Sequence, residues 1–300
     1  MLSFILNTIA SLLLGYFWLR FFRQVDVFEK ESWLATLLCV VLGLLSPLIT
    51  FLVSPLFGEA FDRSSVTGLL GYSVIQVGMV EEFSKILPFF IILFTTRWVD
   101  ESLDFILYPA LSAIGFATTE NILYASSHGM EVLQYRAVLS LPGHVFFSVI
   151  SGWFLYRGIQ SGGGFSVLWF LGGYLLGVLS HGLYNFFLFL GGMWSLVSVV
   201  LASLFAFYIK KILFYCVRDS EFYNHSIMPE IFQAGRNLWL GMILLFIMIS
   251  ISAGLVSRNP MEVFIYVIAN GFPALVSTII LLSLVGLDEK GFRKVLGIKR

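Results

Sequence analysis

The sequence has few charged residues and few cysteines, and each shortage excludes a broad class of protein. Only 12% of its 300 residues are charged and 58% are hydrophobic, whereas soluble globular domains average roughly 25% and 45–50%. So little polar surface cannot cover a water-soluble globule. Two cysteines, Cys39 and Cys216, cannot form the disulfide framework of a small secreted domain. The net charge of zero gives no sign of a nucleic-acid partner.

Long apolar runs are what the sequence has in abundance, and its mean hydropathy is +0.91. A helix that crosses a bilayer needs about 20 mostly apolar residues. Such stretches lie at approximately 2–19, 33–57, 66–96, 102–125, 137–157, 165–190, 194–216, 237–257 and 261–286. We therefore predict an all-α, polytopic membrane bundle of about nine transmembrane helices, forming a single transmembrane domain over 1–300. The third stretch is long for one helix, so we expect it to be tilted or broken, with a kink at Pro88.

The positions of lysine and arginine predict the orientation, because cytoplasmic loops are enriched in these residues. With the N-terminus outside, most of the 18 positive residues fall on the cytoplasmic side. These are Arg20, Arg23, Lys30, Arg97, Arg157, Lys210, Lys211, Arg218, Arg236, Lys290, Arg293, Lys294, Lys299 and Arg300. Arg63, Arg136 and Arg258 fall outside, and Lys85 lies within a span. We predict that the N-terminus is outside and the C-terminus cytoplasmic.

Ionisable residues occur inside four consecutive predicted spans, the third to the sixth. Each such group at the bilayer centre costs on the order of 2.5–3.5 kcal/mol, and the other five spans carry almost none. The polar residues are Glu81, Glu82 and Lys85, then Glu120 and Asn121, then His144, and finally His181 and Asn185. Counted at about 1.5 Å per residue, they lie at the middle of their spans or toward the outer side. This pattern predicts one site in the outer half of the membrane.

Helical spacing indicates which of these groups cooperate. Lys85 is three residues after Glu82 and four after Glu81, so it is within reach of either carboxylate. A lysine that neutralises one carboxylate would leave the other to face the cavity. Phe116 lies four residues before Glu120 and Ser148 four residues after His144, so each shares a helical face with that residue. Together with Lys85 and Asn121, they are candidates for a supporting role.

Carboxylates and imidazoles in a wet cavity suit hydrolysis of an amide bond. A glutamate can take a proton from water and later deliver it to the leaving amine, and histidine or asparagine can donate hydrogen bonds to the oxyanion. Alternatively, glutamate and histidine can bind a divalent metal such as zinc. The candidate ligands for that alternative are Glu82, Glu120, His144 and His181. The sequence contains no HExxH, no GxSxG and no aspartate pair of the intramembrane type, and its spacing leaves both hydrolytic mechanisms open.

Four segments resemble the motifs of the PrsW family of intramembrane proteases, which are distant relatives of the CAAX-processing endopeptidases. The segments are EEFSK at 81–85, FATTEN at 116–121, the region around His144 and HGLYN at 181–185. The resemblance covers 66–190, which we expect to form a four-helix catalytic core. The flanking helices would then lie in 1–57 and 194–286.

This resemblance implies a multi-pass enzyme of the bacterial cytoplasmic membrane that makes the first cut in a single-pass anti-sigma factor, near the outer face. The catalytic residues would be Glu81, Glu82, Glu120, His144, His181 and Asn185. Either Glu81 or Glu82 would activate water, and His181 with Asn185 would hold the oxyanion. The chain departs from the CAAX relatives at Glu120, where they carry a histidine, so this carboxylate is expected either to favour a metal or to share a proton.

Two other classes of function use the same residues. A proton-coupled transporter or channel would place ionisable groups on both sides of the membrane midplane, whereas here the inner half is nearly empty of them. A non-catalytic membrane scaffold would tolerate the loss of a carboxylate as long as folding survived. The sequence favours the protease.

Overall fold

The computed structural model describes residues 2–26, 28–162, 166–223, 228–256, 261 and 264. Over these residues the chain is helical and contains no strand, which confirms the predicted all-α class. The helices are α1 (Leu2–Val25), α2 (Trp33–Leu45), α3 (Pro47–Val53), α4 (Val66–Gly71), α5 (Val80–Thr95), α6 (Asp104–His128), α7 (Val132–Tyr135), α8 (Leu141–Gln160), α9 (Ser166–Leu190), α10 (Ser195–Asp219) and α11 (Met228–Val256). Two π-helical segments, Tyr72–Met79 and Arg136–Ser140, lead into α5 and α8.

Among the described residues, six helical stretches are long and apolar enough to cross a membrane. They are Ser3–Val25, Trp33–Phe57, Val132–Gln160, Ser166–Leu190, Gly192–Asp219 and Gln233–Ile251. The third and fourth predicted spans are also helical, over 66–95 and 104–128, but their charged and polar residues lower their hydropathy. The ninth predicted span, 261–286, lies outside the described residues except for positions 261 and 264. The orientation of the termini stays a prediction.

Helix α6 lies at the centre of the bundle and packs against α1, α2, α5 and α8. Its residues from Asp104 to Thr118 are all buried, as expected of a helix that is covered on every side. Gly115 lies directly against the backbone of α2 near Val40, where a Cβ atom would clash. This close approach fixes α6, and therefore Glu120 in its second half, relative to the neighbouring helices.

The third predicted span is helical throughout 66–95. Its departure from α-helical geometry lies at Tyr72–Met79, whereas Pro88 lies inside α5. The second π-helical segment ends four residues before His144. Because a π segment changes the phase of the side chains that follow it, such segments are frequent at functional sites. Both π segments of this protein directly precede residues that the sequence singled out.

Helix α9 packs against α8 and against the π segment before α5. The contact with the π segment depends on small residues, because a Cβ atom on Gly182 would lie 2.6 Å from Val74 Cα and one on Gly78 would lie 2.9 Å from the Val178 carbonyl oxygen. This close contact brings His181, which precedes Gly182, beside the carboxylates of α5.

Candidate active site

The structure brings the polar residues of the four predicted segments together. The side chains of Glu81 and Glu82 on α5 meet His181 of α9, while Glu120 of α6 meets His144 of α8. Lys85 links the two halves, since its Nζ atom contacts both Glu82 and His144. Contact across four helices is what the sequence predicted for these residues.

Glu82 is held by three partners. Its Oε1 atom accepts hydrogen bonds from Lys85 Nζ at 2.5 Å and from His181 Nδ1 at 2.7 Å. Its Oε2 atom accepts from the Ser148 hydroxyl at 3.1 Å. The residue is only 2% exposed, and charge-assisted hydrogen bonds of this kind compensate a buried carboxylate and fix its position. The spacing allowed Lys85 to pair with either Glu81 or Glu82, and in the structure it pairs with Glu82.

Glu81 has the opposite surroundings, although it is the adjacent residue. Its Oε2 atom is buried without a hydrogen-bond partner in the part of the chain that the structure describes. The same atom lies 3.6 Å from His181 Nε2, and the residue lines the cavity of the site. Since buried polar atoms are nearly always satisfied, an unsatisfied carboxylate oxygen that borders a cavity indicates an atom reserved for water, substrate or an ion.

The contacts of the two histidines define their neutral tautomers. Lys85 Nζ lies 3.0 Å from His144 Nδ1, and because an ammonium group only donates, Nδ1 accepts. The proton of neutral His144 is then on Nε2, which donates to Glu120 Oε2 at 2.9 Å. By the same reasoning, His181 Nδ1 donates to Glu82, so Nε2 of neutral His181 is left with a free lone pair. The rings lie 5.2 Å apart between centroids.

Arg136 belongs to the site, and the sequence analysis missed it. Its Nη2 atom donates to Glu120 Oε2 at 2.7 Å, and its Nε atom donates to Asn121 Oδ1 at 2.5 Å. Its position along the sequence is that of an ordinary charge in an outer loop. A usable signal was present, however: Glu120 lies eight residues before the end of α6 at His128, and Arg136 lies eight residues after it. Positions equally distant from a tight turn between antiparallel helices lie side by side.

Aromatic rings enclose the charged groups. Lys85 Nζ lies 5.0 Å from the centroid of the Phe116 ring, a cation–π distance, and Phe116 also contacts the His144 ring at 5.6 Å. Phe147 stacks on His181 with 4.7 Å between centroids and an interplanar angle of 12°. The predicted supporting residues Lys85, Phe116, Ser148 and Asn121 therefore all contact a member of the cluster.

The cluster forms the polar part of a cavity of about 330 Å³. Its ionisable and amide groups come from Glu81, Glu120, Arg136, His144, His181 and Asn185. Apart from Ser140, the rest of the wall is apolar or aromatic and includes Tyr72, Tyr184 and Phe189. A few convergent polar groups in a largely apolar pocket are typical of a binding or catalytic site. Asn185, predicted to assist at the oxyanion, lies in this cavity.

Three residues of the cluster, Glu81, His144 and His181, each offer a ligand atom within 4.8 Å of the others. This set differs from the predicted four ligands, because Glu82 is held by Lys85 and Glu120 by Arg136. Two imidazoles and one carboxylate are a known set for catalytic zinc. The residues fit a divalent ion: Glu81 Oε2 is unsatisfied, and Glu82 orients His181 through Nδ1, as outer partners of metal ligands do.

Comparison with known proteins identifies the family of the chain. Residues 31–210 match the PrsW family of intramembrane metalloproteases, a wider region than the 66–190 that carries the motifs. A Protease PrsW from Clostridioides difficile (strain 630) is 28% identical over 204 residues, which cover 66% of this chain and 84% of the relative. The Protease PrsW of Bacillus subtilis (strain 168) is 31% identical over 179 residues, covering 59% of this chain and 77% of the relative.

A third relative, the Protease PrsW of Oceanobacillus iheyensis (strain DSM 14371 / CIP 107618 / JCM 11309 / KCTC 3954 / HTE831), is 30% identical over 179 residues, covering 60% of this chain and 79% of the relative. No solved structure matches the chain. The family match covers more than half of the sequence and includes every residue of the cluster. The chain therefore belongs to the PrsW family of intramembrane metalloproteases and is a membrane-embedded peptide-bond hydrolase.

Proposed function

We propose that this protein makes the first cut in a single-pass membrane protein of the anti-sigma-factor type, near the outer face of the bacterial cytoplasmic membrane. The distribution of lysine and arginine supports the outward orientation, and the position of the polar residues along their spans supports a site in the outer half. The family match supports a membrane-embedded protein as the substrate.

The observation that carries the mechanism is the difference between Glu81 and Glu82. Lys85 balances the charge of Glu82, and Arg136 balances that of Glu120. Among the described residues, Glu81 is the carboxylate of the cluster with no lysine or arginine partner. Because an isolated buried charge is very costly, we expect the cluster to carry no net charge. Its charges cancel when Glu81 and His181 share one proton. We therefore assign proton transfer to this pair and support of the site to Glu82.

The reaction follows from the position of that proton. With the proton on His181, Glu81 is ionised and takes a proton from a water molecule, whose oxygen bonds to the carbonyl carbon of the peptide. His181 Nε2–H and the Asn185 amide donate hydrogen bonds to the oxyanion that forms. Glu81 then gives its proton to the amide nitrogen, the C–N bond breaks, and a carboxylic acid and an amine are released.

The metal that the family description implies would be held by Glu81, His144 and His181. When bound, a divalent ion supplies positive charge that activates water and stabilises the oxyanion. The chain's own residues keep defined tasks in that case as well. Glu82 orients His181, Ser148 and Lys85 hold Glu82, and Asn185 lines the cavity from the same face of α9.

The test is cleavage by purified full-length protein in lipid nanodiscs, with a panel of single-pass membrane proteins that includes anti-sigma factors. Mass spectrometry of the products maps the cut. We expect one cut within a few residues of the outer end of the substrate helix, and none with Glu81→Gln. The matched control is Glu59→Gln, which alters an exposed loop carboxylate. A cut on the cytoplasmic side, or no cleavage of any anti-sigma factor, would contradict the proposal.

A further inference from the structure

We propose that Arg136 is a positioning residue of this protease, which acts by holding Glu120 against Nε2 of His144. The inference rests on the proposed function, because His144 and Glu120 line the cavity in which the reaction takes place. It adds a residue of the π-helical segment Arg136–Ser140, which precedes α8 and lies outside the four sequence motifs.

Arg136 directs its whole side chain to one face of α6. The Nε and Nη2 atoms donate to Asn121 and Glu120, and the guanidinium carbon lies 4.1 Å from the centroid of the Tyr124 ring. The residue is 9% exposed and lines the cavity. A planar guanidinium with two donors engaged and one face stacked has a single orientation. The arginine therefore presents its charge to Glu120 at a fixed position.

One oxygen atom carries the connection from Arg136 to the active site. Glu120 Oε2 accepts from Arg136 Nη2 at 2.7 Å and from His144 Nε2 at 2.9 Å. On its other side, the His144 ring is held by Lys85. The two ring nitrogens of His144 are thus each held by one polar contact. One contact is with Lys85, and the other is with Glu120, which itself depends on Arg136.

Removal of Arg136 would leave Glu120 as a largely buried carboxylate, 17% exposed, without its cation. Breaking a buried pair leaves an uncompensated charge, which the protein relieves by neutralising or moving the group. Either change weakens the Glu120–His144 contact, so the imidazole loses one of its two anchors. A displacement of about 1 Å at a catalytic group is enough to lower a rate by about 100-fold.

A lysine at position 136 can reproduce only part of the contacts that Arg136 makes, and a glutamine cannot supply the charge that Glu120 needs. Arg136→Lys retains the charge for Glu120, but a single ammonium cannot reproduce the fork that bonds Asn121 and Glu120 together. Arg136→Gln removes the charge. The substitutions are therefore expected to form a graded series, which a purely mechanical contact between helices would not produce.

The kinetic test uses purified full-length protein and a single-pass substrate whose cut has been mapped. We expect Arg136→Gln to lower kcat by about 100-fold with KM changed less than about threefold, and Arg136→Lys to be intermediate. Arg136→Gln combined with Glu120→Gln should be no slower than Glu120→Gln alone within about twofold, because Arg136 acts through Glu120. Arg20→Gln, at an exposed arginine, is the control. Wild-type kcat in Arg136→Gln, or multiplication of the two losses, would overturn the inference.

A spectroscopic test does not depend on the substrate. The chain has four histidines, so ¹⁵N-histidine labelling gives few imidazole signals, and His144→Gln identifies those of His144. We expect Arg136→Gln to shift the His144 Nε2–H signal, and an unchanged signal would overturn the inference. If no single-pass substrate is cut by the wild-type protein, the proposed function fails while this spectroscopic result still decides the role of Arg136.

Discussion

Glu82 Oε1 lies 2.7 Å from Nδ1 of His181, while Oε2 of the adjacent Glu81 lies 3.6 Å from Nε2 on the opposite edge of the same ring. One imidazole therefore stands between two consecutive carboxylates with different surroundings. Glu82 accepts hydrogen bonds from three side chains, whereas Oε2 of Glu81 accepts none from the described residues. This asymmetry separates a carboxylate that holds the site from one that is free to react.

The two carboxylates should therefore differ in their contribution to stability. Glu81→Gln removes a carboxylate with an unsatisfied oxygen, so the midpoint of thermal unfolding should stay the same or rise. Glu82→Gln removes the partner of Lys85 and the acceptor for His181, so the midpoint should fall by at least about 5 °C. Differential scanning fluorimetry of the detergent-solubilised protein measures both. Equal losses in the two variants would show that the carboxylates are equivalent and contradict the assignment.

Lys85 should stabilise the fold through Glu82. It is fully buried, and Lys85→Met leaves the Glu82 charge uncompensated, at a cost of about 3–5 kcal/mol. The double variant Lys85→Met, Glu82→Gln should recover part of that loss, because it removes both charges. Denaturant titration of the single and double variants measures the coupling, and Lys211→Met is the control at an exposed lysine. Additive losses would mean that the two residues act independently.

Gly182 should be needed for the position of His181. A Cβ atom there would lie 2.6 Å from Val74 Cα, so Gly182→Ala must move α9 away from the π segment before α5. We expect a loss of stability of about 1–3 kcal/mol and a fall in cleavage rate of at least about tenfold. Gly172→Ala on the same helix is the matched control, because a Cβ atom at Gly172 meets nothing within 4 Å. Similar behaviour of the two alanine variants would contradict the proposed packing constraint.

Stability should also depend on pH through Asp26, which follows the end of α1. Burial raises the pKa of Asp26 from 3.8 to about 7, and the charges of Glu101 and Glu31 raise it further. A hydrogen bond from the Glu31 backbone and the charge of Arg23 lower the pKa, but they do not outweigh burial. The folded protein therefore binds this proton more tightly than the unfolded chain does. The contribution of Asp26 to the free energy of unfolding is complete below about pH 4 and is lost as the pH rises through about 7. This contribution is at most on the order of 4 kcal/mol.

Thermal unfolding between pH 5 and 8 tests this dependence. The midpoint of the wild-type protein should fall as the pH rises, and Asp26→Asn should flatten the curve, because the amide stays neutral and can still accept from the Glu31 backbone. Asp62→Asn, at an exposed loop aspartate, should leave the slope unchanged. A wild-type slope retained in Asp26→Asn would assign the pH dependence to other groups.

The sequence was sufficient to find the motif residues because polar groups are rare at positions inside an apolar span. The sequence predicts one site formed by Glu81, Glu82, Glu120, His144, His181 and Asn185. The structure places five of them around one cavity, whereas Glu82 does not line it and contacts His181 instead. The partner of Lys85 was not predictable, since spacings of three and four residues are both favourable on a helix. Arg136 was missed because an arginine at the border of a span resembles an ordinary loop charge.

Backbone detail was less accessible than the motif residues. A kink is expected at Pro88 because proline lacks the backbone N–H. The π segment at Tyr72–Met79 instead rotates the side chains that follow it around the helix axis, and the apolar pattern of the sequence does not reveal this rotation. The candidate metal ligands depended on which carboxylates have cation partners, and such pairing is decided by contacts between helices. The sequence therefore identified the helices and the polar residues more reliably than the contacts between them.

The most direct test of the central claim is the rate of peptide-bond cleavage by Glu81→Gln, compared with the wild-type protein under single-turnover conditions in H₂¹⁸O. The account predicts that the wild-type product carries ¹⁸O in its new carboxyl group, and that Glu81→Gln, folded to the same extent, cleaves at least about 1,000-fold more slowly. Cleavage by Glu81→Gln within about tenfold of the wild-type rate would contradict the claim that Glu81 transfers the proton.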